Sequence, residues 1–141
     1  MKVAKDNFLK IKKNYLYFLK SQKTLGEPFY NKIDQLKYFY IPISNFIYKN
    51  FKKKKKVLFV GLSGGQGSGK TTISQIIKII LKCKFNLSVV NFSIDDFYKT
   101  RRERKMMSNR IHKLFLTRGV PGTHDINLIK KSFNNLKRKN F

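Results

Sequence analysis

The chain opens with apolar residues at helical spacing. Between residues 8 and 20 they recur every three or four positions with lysines between them, which predicts an amphipathic helix. Its apolar side consists of Phe8, Ile11, Tyr15, Phe18 and Leu19. A second helical pattern covers residues 33–47, and Pro42 within it predicts the start of a fresh helix. Gly26-Glu27-Pro28 separates the two patterns, so residues 1–52 are expected to form a small helical segment.

Strand-like sequence lies on either side of a third helical pattern. Val57-Leu58-Phe59-Val60 is a continuous apolar run that ends in glycines, as expected of a buried parallel strand. A helical stripe then extends from Lys70 to about Lys82, and residues 87–94 return to strand composition. Strand, glycine loop, helix and strand form a βαβ unit, which requires a parallel sheet and a right-handed crossover. We therefore expect residues 53–141 to form an α/β domain.

The last part of the chain is polar and basic. Residues 97–115 predict an irregular or helical excursion with no clear period. Asp125 then stands directly before an apolar stripe at helical spacing, which predicts a final amphipathic helix with an acidic N-cap. This stripe consists of Ile126, Ile129, Phe133 and Leu136.

Composition narrows the class of protein. The 141 residues suit one packed domain, and 41% hydrophobic and 28% charged residues are typical of a soluble globular protein. No apolar run approaches the roughly 18 residues that span a bilayer, and the N-terminus does not resemble a secretory signal. We therefore expect a cytoplasmic protein without a membrane partner. Cys83 is the only cysteine, which excludes an internal disulfide and a cysteine-rich zinc site.

The formal charge of +25 suggests nucleic acid or acidic membranes as partners. However, the excess is carried mainly by lysine, whereas a protein that reads bases or phosphates more often uses the planar fork of arginine. The lysine run at 52–56 favours a solvated linker edge over a localisation signal or a polyanion patch. We expect no specific nucleic-acid partner, and only weak, salt-sensitive binding to polyanions.

A glycine-rich loop carries the strongest chemical signal. Gly64-Gly65-Gln66-Gly67-Ser68-Gly69-Lys70-Thr71 matches the P-loop pattern, directly after a predicted strand and at the start of a predicted helix. Glycines let successive N–H groups converge on phosphate oxygens, and the helix N-terminus adds a partial positive charge. Lys70 is expected to reach the β- and γ-phosphates of ATP, and the Thr71 hydroxyl to ligate Mg²⁺. Thr72, a helix residue, completes the predicted nucleotide-binding set; the alternative is a glycine turn that binds nothing.

Two adjacent carboxylates end the second predicted strand, in Ser93-Ile94-Asp95-Asp96-Phe97-Tyr98. Ligands of open parallel sheets bind beyond the carboxyl ends of the strands, so both carboxylates are expected to face the bound phosphates. The alternative is that both aspartates only end the strand and cap the next turn.

With these motifs the chain resembles the P-loop kinases of small metabolites, whose members include uridine, pantothenate and glycerate kinases, and most of all the D-glycerate 3-kinase-like group. The resemblance rests on residues 61–72, residues 93–98 and Thr117-Arg118-Gly119-Val120-Pro121-Gly122-Thr123-His124-Asp125. It implies the three-layer P-loop NTPase fold with a parallel sheet, here incomplete because only two of its strands are present, preceded by the small helical segment.

The resemblance also implies roles for individual side chains. Asp95 would be the general base that accepts the proton of the acceptor hydroxyl, and Asp96 would act on magnesium-bound water or on the acceptor, with the reverse assignment open. Lys70 is the third predicted catalytic residue. The acceptor side would consist of Tyr98, Arg118, His124 and Asp125.

Several side chains in this part of the sequence have alternative roles. An arginine such as Arg118 suits the carboxylate of a glycerate-like substrate. Asp125 as a plain helix cap and His124 as a polar turn residue are the alternatives to a substrate role. The nearby Arg101, Arg102 and Arg104 could be surface charge, phosphate contacts or both, and solvated surface charge is the default expectation.

Together these expectations describe ATP-dependent transfer of the γ-phosphoryl group to a hydroxyl of a small metabolite. D-glycerate is the named candidate acceptor, ATP and Mg²⁺ are the cofactors, and the sequence indicates no oligomeric state. Because family members continue with further strands and a lid, one alternative is a catalytically inactive ATP-binding fragment or remnant. A third hypothesis is a basic polyanion-binding protein in which the P-loop is vestigial.

Overall fold

The computed structural model describes residues 2–22, 30–54 and 56–138, and it divides the chain into two compact units. The first unit ends at Asn91 and the second begins at Phe92. The predicted interruption at Gly26-Glu27-Pro28 lies outside the described residues, as does Lys55 of the lysine run. Each unit is described below by itself.

The first unit is built from helices, because its apolar residues recur at helical spacing. Its elements are α1 (Lys2–Ser21), α2 (Lys32–Gln35), a π-helical turn (Leu36–Tyr40), α3 (Ile41–Lys54) and α4 (Lys70–Phe85). The predicted helices at 8–20 and from Lys70 are confirmed, and α4 extends one turn further than predicted. It ends at Asn86, which adopts the left-handed conformation with φ 52°. In the described part of the chain, no helix is both long and apolar enough to cross a membrane.

Pro42 lies in the first turn of α3, directly after the π-helical turn. Proline has no N–H to donate to the preceding turn, and its ring crowds the carbonyl four residues earlier. A π-helical turn changes the local hydrogen-bond register, which is one way for a helix to accommodate such a residue. The helix predicted to start at Pro42 is α3. It begins one residue earlier, at Ile41, and follows the π turn without a break.

The core of the first unit joins α1, the π turn and α4. Tyr15 of α1, Leu36 of the π turn and Ile76 and Ile80 of α4 have no exposed surface. Each such side chain contributes about 1.5–3 kcal/mol by leaving water. The helix that follows the glycine loop is thus fixed in place by the N-terminal helical segment. The predicted boundary between residues 52 and 53 falls inside α3.

The two segments predicted as strands are not helical, but they form no β-ladder within residues 56–138. Residues 57–65 lead into the glycine loop, and residues 87–93 follow α4. Ile94, the last residue of the second predicted strand, already belongs to a 3₁₀ turn. The parallel sheet therefore stays a prediction.

The second unit begins with short turns and ends with a helix. Its elements are a 3₁₀ turn (Ile94–Phe97), α5 (Arg101–Arg110), a second 3₁₀ turn (Lys113–Leu116) and α6 (Ile126–Arg138). The excursion predicted over 97–115 is therefore mostly helical, and the predicted final helix is confirmed. The Phe92 ring meets the rings of Phe97 and Phe133 edge-on, at centroid distances of 5.6 and 5.4 Å. These contacts tie α6 to the first turn.

Candidate functional site

Two positions of the glycine loop have a backbone conformation that favours glycine. Gly67 and Gly69 both have φ of 76°, in the left-handed region that strains other residues. Gly69 is the residue before the first turn of α4, and the Ser68 N–H donates to the Gly65 carbonyl at 3.3 Å. The backbone therefore turns tightly between the predicted strand and α4.

The space beside the loop is open. Within the described residues, a Cβ built on Gly65, Gly67 or Gly69 would meet no atom within 4 Å. Gly64 differs, because a Cβ there would lie 2.8 Å from the Ser68 Oγ. Residues 61–69, which include Gln66, are exposed. An exposed glycine backbone at the N-terminus of a 16-residue helix is the arrangement that admits an anion.

Lys70 folds back over this loop. Its Nζ donates to the carbonyls of Gly64 and Gly65, at 2.8 and 2.6 Å. Thr71 is exposed beside it in the first turn of α4, and Thr72 is half-buried. The ammonium group, the Thr71 hydroxyl and the N–H groups at the start of α4 thus lie within one short stretch of chain.

Asp95 and Asp96 lie in the first 3₁₀ turn and have different partners. The Asp96 Oδ2 accepts the Ser93 N–H at 2.7 Å, and the Ser93 Oγ accepts the Asp95 N–H at 3.2 Å, which makes a capping box. Asp96 therefore caps the turn, as in one of the alternatives above. The Asp95 carboxylate takes no part in this box and lies close enough to the Tyr98 hydroxyl to raise its pKa; both aspartate side chains are exposed.

Tyr98 and His124 form an antiparallel pair, although 25 residues separate them along the chain. Hydrogen bonds flank the pair on both sides: the Lys99 N–H donates to the Thr123 carbonyl at 2.8 Å, and the Asp125 N–H donates to the Phe97 carbonyl at 2.7 Å. The two rings stack with centroids 4.2 Å apart and planes 26° from parallel. The predicted acceptor residues Tyr98 and His124 are thus brought together.

Arg118 completes this group of side chains. Its guanidinium lies 5.6 Å from the centroid of the Tyr98 ring, in cation–π range. Burial raises the pKa of Tyr98, and the Asp95 carboxylate raises it further, whereas Arg118 and the Gly119 N–H act in the opposite direction. We call Asp95, Tyr98, Arg118 and His124 the acceptor cluster.

Asp125 and the His124 ring have distinct environments. The Asp125 Oδ1 accepts the Leu128 N–H at 2.9 Å and so caps α6, which was one of its two predicted roles. The His124 Nε2 is buried and has no hydrogen-bond partner within the described residues. Buried ring nitrogens usually have a partner, so this atom is a natural point of contact for a bound polar molecule.

Arg104 was expected to be solvated, and that expectation is wrong. Only 7% of its surface is exposed, and its Nε donates to the Lys99 carbonyl at 3.2 Å. Charge pattern alone gave no signal of this, because Arg101 and Arg102 in the same helix are exposed as predicted.

The cap of α5 was not predicted from the sequence, and the cap of the first 3₁₀ turn was predicted only as an alternative role of the aspartates. Thr100 and Glu103 form a second capping box at the start of α5. The spacing of Ser93 to Asp96 and of Thr100 to Glu103 is the sequence signature of such boxes and is visible without a structure.

Metal ligands are few in both units. Within residues 2–22, 30–54 and 56–138, no group of three or more His, Cys, Asp or Glu side chains is placed to hold a metal ion. The donors at the glycine loop suit Mg²⁺ in another way, because that ion keeps several waters and needs only one or two protein oxygens beside phosphate. The exposed Thr71 hydroxyl fits such a role.

Two known proteins that are similar to this chain are both named as kinases. The chain is 38% identical over 94 residues to the "Uncharacterized kinase mug58" of Schizosaccharomyces pombe, an alignment that covers 65% of this chain and 34% of that protein. It is 37% identical over 87 residues to the "Probable ATP-dependent kinase TDA10" of Saccharomyces cerevisiae, covering 59% and 30%. This chain is similar to proteins named as kinases.

These similarities cover about a third of each relative's length. No protein-family model matches the chain. No solved structure matches it either.

Proposed function

We propose that this chain is the phosphate-binding part of an ATP-dependent kinase that phosphorylates a hydroxyl of a small metabolite. The similarity to two proteins named as kinases, one of them as ATP-dependent, supports the general activity. The proposed fold is the P-loop NTPase fold, and the proposed acceptor is D-glycerate, on the resemblance of the three motifs.

The observation that carries the proposal is the glycine loop with Lys70 folded over it. The left-handed Gly67 and Gly69 leave room beside the start of α4 for a phosphate, whose oxygens the loop N–H groups would bind. The Lys70 Nζ needs only to exchange the Gly64 and Gly65 carbonyls for phosphate oxygens. The charge–charge hydrogen bonds it would gain are stronger than those it gives up.

The chemistry of transfer places few demands on the protein. ATP supplies the phosphoryl group and Mg²⁺ offsets its charge, and the protein contributes position and compensating charge. Lys70, the loop N–H groups and the Thr71 hydroxyl do this on the nucleotide side. We propose Gly64 to Thr72 as the residues that bind ATP and Thr71 as the ligand of Mg²⁺.

We assign the general base to Asp95 rather than to Asp96. The Asp96 carboxylate accepts the Ser93 N–H and holds the turn, whereas the Asp95 carboxylate takes no part in that capping box. The Asp95 carboxylate lies close enough to the Tyr98 hydroxyl to raise its pKa, and an acceptor hydroxyl bound beside Asp95 would give up its proton to that carboxylate. Arg118 offers its guanidinium to an acceptor carboxylate, and the His124 Nε2 offers one hydrogen-bonding position.

The test is ATP-dependent phosphorylation of a panel of small hydroxy acids and nucleosides, with D-glycerate first. We expect transfer to an acceptor that carries a carboxylate, lost by at least about 100-fold in Asp95→Asn because the general base is removed. Asp96→Asn keeps an acceptor oxygen for the Ser93 N–H and is the matched control, with activity close to the wild type. Equal losses in both variants would refute the assignment of the base. ATP binding without transfer to any acceptor would instead favour a catalytically inactive ATP-binding protein.

A further inference from the structure

Arg104 is the buried charge of the second unit that the proposed reaction does not use. It lies in α5 with 7% of its surface exposed. Its Nε donates to the Lys99 carbonyl at 3.2 Å, and its Nη1 donates to the Leu116 carbonyl. Both partners are main-chain carbonyls, and burying a charged side chain is costly unless its hydrogen bonds are made. A single guanidinium thus joins two segments that are 17 residues apart in sequence.

The two carbonyls belong to the segments that carry the acceptor cluster. Lys99 follows Tyr98 directly, and its N–H donates to the Thr123 carbonyl beside His124. Leu116 stands two residues before Arg118, and the Thr117 N–H and hydroxyl between them both bond the Leu114 carbonyl. One end of the Arg104 guanidinium therefore fixes the Tyr98 segment, and the other end fixes the Arg118 segment.

We propose that Arg104 is a positioning residue that holds Arg118 over Tyr98 and so sets the affinity for the acceptor. The inference rests on the proposed function, in which Arg118 and Tyr98 bind the acceptor. The planar guanidinium presents Nε and Nη1 at a fixed separation, whereas a lysine ammonium is a point charge on a flexible stem. Arginine is therefore suited to set the spacing of the two carbonyls and, through the segments that carry them, to hold the Arg118 guanidinium at 5.6 Å from the centroid of the Tyr98 ring.

The kinetic test compares Arg104→Met with Arg118→Met and with the double variant, using D-glycerate and ATP. Arg104→Met is expected to raise the KM for D-glycerate about ten-fold, with kcat and the Kd for ATP within two-fold of the wild type, because only the acceptor side loses its geometry. Since Arg104 acts through Arg118, adding Arg104→Met to Arg118→Met is expected to raise KM no further. Arg102→Met removes an exposed charge from the same helix and is the matched control, with KM unchanged. Additive effects in the double variant would overturn the proposal.

A direct structural readout separates this inference from the proposed function. Amide hydrogen exchange at Thr117 is expected to speed up at least about five-fold in Arg104→Met and to stay unchanged in Arg102→Met and in α4, because only the 116–118 segment loses its tether. Unchanged exchange at Thr117 would overturn the positioning role even if the kinase is active. If the wild type phosphorylates no acceptor, the proposed function fails, and the exchange result alone decides whether Arg104 holds this segment.

Arg104→Lys distinguishes a loss of positioning from a loss of the fold. Arg104→Lys keeps the charge and one hydrogen bond, and it is expected to fold with a Tm near that of the wild type while the KM for D-glycerate still rises. A folded Arg104→Lys with wild-type KM and wild-type exchange at Thr117 would show that the bridge between the two carbonyls is not needed.

Discussion

At the scale of single residues, the chain uses neighbouring side chains of one type for different purposes. Asp96 caps a turn through the Ser93 N–H, while the Asp95 carboxylate stays out of that cap and raises the pKa of Tyr98. Sequence alone left this pair ambiguous, because two adjacent carboxylates look identical until the hydrogen bonds of the turn are known. Arg104 differs from Arg102 for the same reason, since only the structure shows which of them is buried and donates to main-chain carbonyls.

The left-handed glycines of the loop can be tested one at a time. Gly69→Ala is expected to lower the free energy of unfolding by roughly 1–2 kcal/mol, because a side chain at φ 76° is strained whatever the space around it. It is also expected to weaken ATP binding, since relief of that strain moves the start of α4. Gly61→Ala is the control, because a Cβ there meets nothing within 4 Å and its φ is not positive. Denaturant unfolding measures both variants, and equal effects would contradict the account of the loop.

The raised pKa of Tyr15 predicts how the stability of the fold depends on pH. Burial, with a smaller contribution from Tyr40, raises the pKa of Tyr15 from 10.0 to about 12. The folded state therefore keeps a proton that the unfolded state releases above pH 10, so stability falls as pH rises from 10 towards 12.

Tyr15→Phe removes this effect together with a buried hydroxyl that has no hydrogen-bond partner in the described residues. The variant is expected to be about 1 kcal/mol more stable than the wild type at pH 7, and the difference is expected to grow above pH 10. Tyr17→Phe, at a site that is 76% exposed, is the control. Thermal unfolding between pH 7 and 11.5 measures the difference, and a constant difference across that range would refute the buried hydroxyl.

At the scale of elements, periodicity predicted the helices well, whereas the predicted parallel sheet stays a prediction. Helices are visible because their hydrogen bonds are local, so an apolar stripe such as that of α1 reports its own buried side. The strand segments at 57–60 and 87–93 would depend on partners far away in sequence, and composition shows neither their pairing nor their order. The Tyr98–His124 pair shows the same limit, because nothing in the sequence places these two residues opposite each other.

The register of α1 gives a prediction at this scale. Ile11 is 2% exposed and Leu9, two residues earlier on the same helix, is 60% exposed. Ile11→Ala is expected to lower the free energy of unfolding by about 2–5 kcal/mol, because it leaves a cavity against α4 and the π turn. Leu9→Ala is expected to change it by less than about 0.5 kcal/mol. Chemical denaturation of both variants decides the matter, and the reverse order would mean that α1 packs with another face.

At the scale of the whole molecule, the general attraction of a basic chain for polyanions has to be distinguished from binding at the glycine loop. A chain with a formal charge of +25 attracts any polyanion, so nucleotide binding by itself does not show that the glycine loop is a site. The general attraction falls steeply with salt, whereas hydrogen bonds from the loop N–H groups and from Lys70 to a bound phosphate would persist. The loop is recognisable from sequence because its glycines, lysine and threonine must be contiguous. The acceptor cluster draws on residues from 95 to 124 and was assigned only through the family resemblance.

The affinity for ATP with Mg²⁺, measured by calorimetry at 0.15 and 0.5 M salt, tests the central claim most directly. Lys70→Ala and Lys78→Ala remove the same charge from the same helix, but only the Lys70 Nζ lies on the glycine loop. We expect Lys70→Ala to raise the Kd at least about ten-fold at both salt concentrations, because it removes charged hydrogen bonds to phosphate, and Lys78→Ala to leave it within two-fold. Equal effects of the two variants, or binding that disappears with salt in the wild type, would contradict the assignment of residues 64–71 as the phosphate-binding loop.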